Sequence, residues 1–322
     1  MSPAVLGTLS AMTARRRVSG EPLARLSFAV LIATRNRPEL LEGTLAALCA
    51  QSSGGFDVVV VDQSDALDPM LRRRIDEDAH LTVIRDTGRG LSRARNLGWP
   101  RMTADWVVFL DDDCRPEAEW AAALERALAA HPEASVVSGE VIAGNAPAYP
   151  TDEYIPVTVS HVPEPRVLSG RWTRPWDIGF TVCMAARRSL IARLGGFDER
   201  LGAGVAEFPS AEDMDFNYRL LRDGAIAYVT PDVRAHHDQW RGPDELGSHF
   251  RGYMTGWSGF AMKHLRSGDV LGGLWLWSYG VRDTARMFAS ALRRRSWLRL
   301  RVAWMKLLGL GAGTARGCAR SW

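Results

Sequence analysis

The chain's 322 residues suffice for one large domain or two small ones with a full hydrophobic core. Hydrophobic residues at 46% and charged residues at 24% exclude disordered and collagen-like classes. The net charge of +3 is unevenly divided: from residue 270 onward ten Lys/Arg stand against one Asp, so a body near −6 carries a tail near +9, an asymmetry that points to an anionic partner.

Residues 1–25 show no hydrophobic period and are expected to form a loose tail. Their weakly apolar stretch precedes Arg15, Arg16 and Arg17, the reverse of the order in a secretory signal. Phe28–Ala33 reads as a buried strand, and Pro38 sits at the first position of a helical pattern through Leu40, Leu41, Leu45 and Leu48. Asp57–Asp62 is a second buried strand, Leu81–Ile84 a third, Leu91–Trp99 a helix, and Trp106–Leu110 a fourth strand running into Asp111, Asp112 and Asp113. Pro116 is expected to open a further helix through Leu124 and Leu128, with a fifth strand at Val136–Val141. The stretch from Ala143 to Pro175 is Pro-rich and irregular. Cys183–Leu194 returns to regular structure, Glu212–Arg222 is a helix closed by Gly224, Ile226–Val229 is a short strand leading to His236 and His237, and helices dominate beyond residue 243.

Short apolar strands alternating with amphipathic helices indicate a mostly parallel α/β sheet covered on both faces. Such sheets bind ligands at the carboxyl ends of their strands. Three strands here end in polar residues at that edge: Thr34 and Arg35, Asp62, and Asp111 to Asp113. Carboxylates packed as closely as the last three repel one another unless a cation sits between them, and Mg²⁺ or Mn²⁺ takes such oxygen ligands and bridges to phosphate. The alternative is an acidic loop attracted to the positive start of a helix. In Glu212-Asp213-Met-Asp215 a carboxylate could act as general base, or Ser210 to Asp213 could form a capping box. His236 or His237 could complete a metal shell or touch a phosphate, or be solvated. Gly88 to Asn96 carries Arg93 and Arg95, which suit a diphosphate but match neither a Walker loop nor a dinucleotide fingerprint. The four cysteines (Cys49, Cys114, Cys183 and Cys318) are scattered, with no CxxC or Cys/His cluster, which suits a reducing compartment.

Taken in order, Ala33-Thr-Arg-Asn-Arg-Pro38, Val61-Asp62, Ala94-Arg-Asn96, Phe109-Leu-Asp-Asp-Asp113, Gly195-Gly-Phe-Asp198 and Glu212-Asp213-Met-Asp215 resemble the motifs of family 2 glycosyltransferases. The resemblance spans roughly residues 28 to 240. It implies a GT-A fold, a Rossmann-like sheet with a nucleotide-binding half (about 26–142) and an acceptor half (about 143–242), followed by a helical, basic, Trp-rich region (243–322). It also implies transfer of a sugar from a nucleotide diphosphate, UDP by family habit, to an acceptor hydroxyl with inversion, assisted by Mn²⁺ or Mg²⁺. The acceptor would be a glycan, a lipid-linked saccharide or a small molecule. By analogy Thr34, Arg35, Asp62, Arg93, Arg95, Asp111 and Asp112 lie on the nucleotide sugar; Asp113, Asp111 and His237 hold the metal; Asp213 is the base; and Glu212, Asp215 and His236 face the acceptor.

Five of the twelve tryptophans fall in the basic tail (Trp275, Trp277, Trp297, Trp304 and Trp322), which favours an anionic membrane surface over nucleic acid as its partner; the alternative is packing on the body. No apolar run reaches the ~20 residues of a spanning helix, so the expected place is cytoplasmic, peripheral on the inner membrane face. Two rival readings stand beside the transferase: a nucleotidyltransferase on a similar nucleotide-binding half, and an inactive membrane-associated assembly partner.

Overall fold

The computed structural model describes residues 28–145, 155–239 and 242–322; the expected N-terminal tail and the middle of the Pro-rich stretch lie outside them. In chain order the elements are β1 (Phe28–Thr34), α1 (Pro38–Cys49), β2 (Asp57–Asp62), α2 (Pro69–Glu77), β3 (Leu81–Arg85), α3 (Leu91–Gly98), β4 (Trp106–Asp111), β5 (Cys114–Pro116), α4 (Trp120–Ala130), β6 (Val136–Ala143), β7 (Arg166–Leu168), β8 (Cys183–Arg187), α5 (Arg188–Leu194), α6 (Glu212–Arg222), β9 (Ala227–His237), α7 (Pro243–Arg266), α8 (Val270–Arg294) and α9 (Trp297–Ala319).

The strands form one nine-stranded sheet in the order β3-β2-β1-β4-β8-β6-β9-β5, with β7 added on β9. The β3-β2-β1-β4 block is parallel, and β8 runs antiparallel to both β4 and β6. Alternation along β1 explains the two-sided core. Val30 and Ile32 join Leu41, Leu45, Trp120 and Leu124 on one face, while Ala29 and Leu31 join Ala94, Leu190, Phe216 and Leu220 on the other.

Two expectations need correction. Pro116 does not open a helix: it closes β5, paired antiparallel with β9 at the sheet's end, where a residue lacking an N–H is tolerated, and the helix starts at Trp120. The strand begun near Ile226 runs on through His236 and His237 as β9, so the histidines alternate across a sheet instead of following it.

Beyond β9 the chain folds into three long helices. In α9, Gly309, Gly313 and Gly317 lie one turn apart, and a Cβ added at each would come within 2.3 Å of the Arg251 carbonyl, 2.2 Å of the Thr255 carbonyl and 2.6 Å of Met262, respectively. The missing side chains let α9 lie close along α7. Of the tail's tryptophans, Trp275 and Trp277 pack inward with Leu276 and Trp257, and the Trp277 indole donates to Thr314. Trp297 and Trp304 are 78% and 56% exposed. Among the described residues no helix is long and apolar enough to cross a membrane.

Candidate active site

The carboxyl ends of β1 and β4 adjoin in register, with Ala33 opposite Asp111. Past Thr34 the chain turns sharply through Asn36, in the left-handed region at φ 55, which asparagine tolerates, and this brings Arg37 back over the strand ends. Past the end of β4 the chain turns at Asp112 and Asp113. Asp111 and Asp113 line an open cavity of about 770 Å³. Asp112 points the other way and is fully buried: it accepts from the Thr34 hydroxyl at 2.7 Å and pairs with Arg37 at 2.7 Å. Asp112, expected on the nucleotide sugar, thus lies off the cavity lining, its carboxylate holding Thr34 and Arg37 in place.

Arg37 also reaches Asp113 at 3.2 Å and lines the cavity, so of the two arginines after β1 the sequence reading singled out Arg35 and passed over the one that meets the acidic cluster. Arg35 lines the cavity as well and lies 3.8 Å from Asp65. Asp62 is buried beneath the rim, its carboxylate taken by Arg85 and by the Ser64 amide at 2.8 Å; its neighbour Gln63 is the one that lines the cavity. Arg93 turns away to a two-point contact with Asp86, which holds the Asp86 carboxyl down at about 2. The diphosphate contact expected of Arg93 is not where its side chain points.

Arg95 does face the site. Its buried guanidinium lies between Asp111 at 3.1 Å and Glu212 at 3.5 Å, over the rings of Phe109 and Phe197. One side chain from α3 thus ties the end of β4 to the start of α6. The Gly195–Asp198 motif builds this platform: Asn96 accepts from the Phe197 amide and donates to its carbonyl, and Phe197 stacks on Phe216, ring centres 4.7 Å apart.

Helix α6 starts from Ala211, itself left-handed at φ 72, a conformation that costs about 1–3 kcal/mol outside glycine. No capping box forms: Ser210 Oγ donates to the carbonyls of Gly252 and Tyr253 in α7. Asp213 is left lining the cavity, accepting, among the described residues, from the adjacent Met214 amide. Burial first, then the Glu212 carboxylate beside it, push the Asp213 carboxyl up to about 8, against the pull of Arg95.

Asp215, expected on the acceptor side, is instead fully buried and clasps α6 to α7. It accepts from Arg219 at 2.7 Å, Lys263 at 2.8 Å and His264 at 2.9 Å. Burial opposes its ionisation, but Arg219, His264 and Lys263 outweigh burial and hold the carboxyl far below the ordinary range. His236 is likewise off the site, on the opposite side of β9 with Glu117 at 3.1 Å. His237 lines the cavity, with Nε2 3.4 Å from Asp113 Oδ1.

Asp113, Cys114 and His237 place their ligand atoms within 4.8 Å of one another. Sequence spacing hid this group, because it exists only through the β5–β9 register, Cys114 opposite His237. Carboxylate oxygens and an imidazole suit Mn²⁺ or Mg²⁺. Burial and the nearby Asp113 raise the Cys114 thiol well above its usual pKa, so its neutral sulfur is a poor ligand for a hard ion. Gln239, whose amide spans Val157, donates to His237 Nδ1 at 2.8 Å. Gln239 thus faces the Nδ1 side of the ring and leaves Nε2 facing Asp113.

The sequence reading missed the far end of the cavity, where Trp176, Tyr253, Trp257, Tyr279, Asp283 and Lys306 contribute. Nothing local marks them. Trp257, Tyr279 and Lys306 come from three separate helices, α7, α8 and α9.

The description of glycosyl transferase family 2 matches residues 29–195. The pre-mycofactocin glycosyltransferase of Mycobacterium tuberculosis is 28% identical over 247 residues, 71% of this chain and 46% of that one. The PGL/p-HBAD biosynthesis glycosyltransferase of Mycobacterium bovis is 30% identical over 222 residues, 63% of this chain and 73% of that one. The chain therefore spans less than half of the first of these relatives. Among solved structures, the mannosyltransferase PcManGT from Pyrobaculum calidifontis, in complex with GDP-Man and Mn²⁺, superposes with a TM-score of 0.60 at 19% identity, covering 96% of this chain and 95% of that one, a likeness of fold.

Proposed function

The chain belongs to glycosyl transferase family 2 and is a glycosyltransferase of GT-A fold, and from that premise we propose that it is a metal-dependent, inverting enzyme using a nucleoside diphosphate sugar, UDP being the first nucleotide to test. The observation that carries this reading is that Asp111, Asp113, His237 and Asp213 line one cavity, with Arg95 bridging the two acidic groups. Family membership sets aside the nucleotidyltransferase and the inactive partner.

Asp113 and His237, with Asp111, would hold Mn²⁺ or Mg²⁺, which when bound neutralises charge on the departing diphosphate. Thr34, Arg35 and Arg37 border the donor end, where guanidinium groups suit phosphate oxygens. Asp213 takes the proton of the acceptor hydroxyl as that oxygen bonds to the anomeric carbon; the bond from that carbon to the diphosphate breaks on the opposite face, and the nucleoside diphosphate leaves with its electron pair. In-line displacement of this kind inverts the anomeric centre. A panel of nucleotide sugars, read as released nucleoside diphosphate with Mn²⁺, Mg²⁺ or chelator, tests the proposal, and NMR of the product gives the anomer. Turnover unaffected by chelator, or a retained anomer, overturns it.

We also read the α8–α9 elbow as the part that meets an anionic membrane surface. Because the glycine side of α9 faces α7, Trp304, Leu307 and Leu308 face outward. At the elbow, Leu292 and Trp297 flank the exposed Arg293, Arg294 and Arg295, and Arg295 makes the turn at φ 50. Apolar and indole groups beside arginines suit the headgroup region of anionic lipid. This corrects the sequence expectation, which had assigned Trp275 and Trp277 to the same surface.

A further inference from the structure

The far end of the cavity is a built surface. Trp176 stacks on Tyr279, ring centres 3.8 Å apart, and Trp257 closes the cluster 5.6 Å from Trp176 and 5.0 Å from Tyr279. All three rings line the cavity. They adjoin the catalytic helix, because Met214, next to Asp213, shares a hydrophobic cluster with Trp176 and Trp257. The coupling is also polar: the buried Asn217 of α6 donates to the carbonyls of Pro175 at 3.1 Å and Gly179 at 2.8 Å, so the helix that presents Asp213 also fixes the turn carrying Trp176.

One turn beyond Tyr279, Asp283 pairs with Lys306 at 2.5 Å, and both line the cavity. Lys306 is only 5% exposed, with its ammonium 5.3 Å from the centre of the Phe250 ring. A buried ion pair contributes little to folding, since desolvation offsets most of its attraction. At a cavity surface the same pair offers a carboxylate that accepts from hydroxyls and an ammonium that donates to oxygens. Aromatic rings beside it take the apolar face of another ring. An anionic group there would meet the Asp283 carboxylate, and like charge disfavours it.

Resting on the function proposed above, we propose that Trp176, Trp257, Tyr279 and the Asp283–Lys306 pair form a subsite for a neutral sugar ring of the acceptor, so that this enzyme extends a glycoside instead of glycosylating a sugar-free alcohol or phenol. Because Trp176 is stacked on both Tyr279 and Trp275, the sugar's apolar face packs on Trp257 and along the edges of the stacked rings, and the ion pair hydrogen-bonds its hydroxyls.

The test uses the full chain and the donor chosen by the nucleotide sugar panel. Acceptor probes are the methyl glycosides of glucose, galactose and mannose, methyl glucuronide as the anionic analogue, and 4-nitrophenol as the sugar-free one. At least one neutral glycoside is glycosylated, with kcat/KM at least tenfold above both the glucuronide and the phenol. The double variant Asp283→Asn with Lys306→Met, which removes both charges at near-constant volume, raises the KM of that glycoside at least tenfold while the donor KM moves less than twofold. A phenol used as well as the glycosides, or a variant acceptor KM within twofold of the parent, overturns the proposal and leaves the transferase reading intact. Should the variant fail to fold, saturation-transfer NMR of the methyl glycosides on the parent protein decides: transfer to the sugar ring protons is expected, and none overturns the subsite. A protein that releases no nucleoside diphosphate from any donor fails the transferase reading instead.

Discussion

The base assignment makes a sharp prediction about pH. With the Asp213 carboxyl pushed up to about 8 by burial and by Glu212, about a tenth of it is ionised at pH 7 and about nine tenths at pH 9. A general base acts only when deprotonated, so kcat/KM for the acceptor climbs with pH, its midpoint held above the ordinary carboxyl range by burial and brought below that of the metal-free protein by a bound cation. Mg²⁺ at saturation is the metal to use, since it stays soluble across the range. Asp213→Asn loses at least a thousandfold in kcat and shows no such rise, while donor affinity stays within a few fold. Arg95→Met, which removes the guanidinium that lowers the Asp213 pKa, moves the midpoint upward. Stability supplies an independent check. The folded-state pKa lies above the unfolded value near 4, so the folded protein binds the extra proton and the contribution of Asp213 to stability fades as pH rises from about 4 to 8. The asparagine variant stays neutral, so its Tm relative to the parent improves with pH over that window. A flat kcat/KM from pH 6 to 9, or an asparagine variant with parental turnover, refutes the assignment.

Three other outcomes are expected. Asp113→Ala abolishes metal-dependent donor binding in calorimetry, and His237→Ala weakens it about 10–100-fold; equal heats with and without Mn²⁺ in the parent would remove the metal from the mechanism. Asp215→Asn leaves Lys263, Arg219 and His264 around a buried neutral amide and destabilises by about 3–5 kcal/mol; because the Asp215 pKa is depressed, that loss is full above about pH 4 and shrinks only as pH falls from there toward the much lower folded-state pKa, as thermal melts would register. On vesicles of phosphatidylglycerol and phosphatidylcholine the parent floats, Trp297→Ala with Trp304→Ala lowers the bound fraction severalfold, and reversing Arg293, Arg294 and Arg295 to Glu abolishes binding to the anionic vesicles; equal flotation of all three rules out the elbow as the contact.

The parallel block was legible because β1, β2 and β4 are buried on both faces and so read as continuous apolar runs that stop at polar residues. Their shared edge followed from that alone, and it is where the cavity lies. Less legible was anything set by antiparallel pairing. Pro116 looks like a helix start until β9 supplies a partner for Cys114, and the choice between His236 and His237 needs the strand to be carried from Val229, where its apolar run stops, to His237. The aromatic end of the cavity had no local signal. Tyr279 sits in α8, whose Trp275 and Trp277 read equally well as membrane anchors, and only the packing of α8 on α7 and α9 turns them inward.

Both acidic motifs follow one construction that residue type alone conceals. After β4, the turn leaves Asp111 and Asp113 on the cavity and Asp112 in the core, where it fixes Thr34 and Arg37. At the start of α6, Glu212 turns to Arg95 and Asp213 to the cavity, while Asp215 is locked to α7. In each triplet one carboxylate is the anchor that gives its neighbours a defined direction. Clustered negative charge would otherwise splay the strand end and fray the helix start; in each case the anchor is paired with arginine or lysine, which keeps the facing carboxylates close. Loss of activity on changing Asp112 or Asp215 therefore says nothing about contact with substrate, and a scan ranking residues by activity alone would assign catalysis to the anchors. Among the described residues, only Asp213 combines a place on the cavity, a carboxyl pushed up toward neutrality and a single local hydrogen bond, which is the combination a proton acceptor requires.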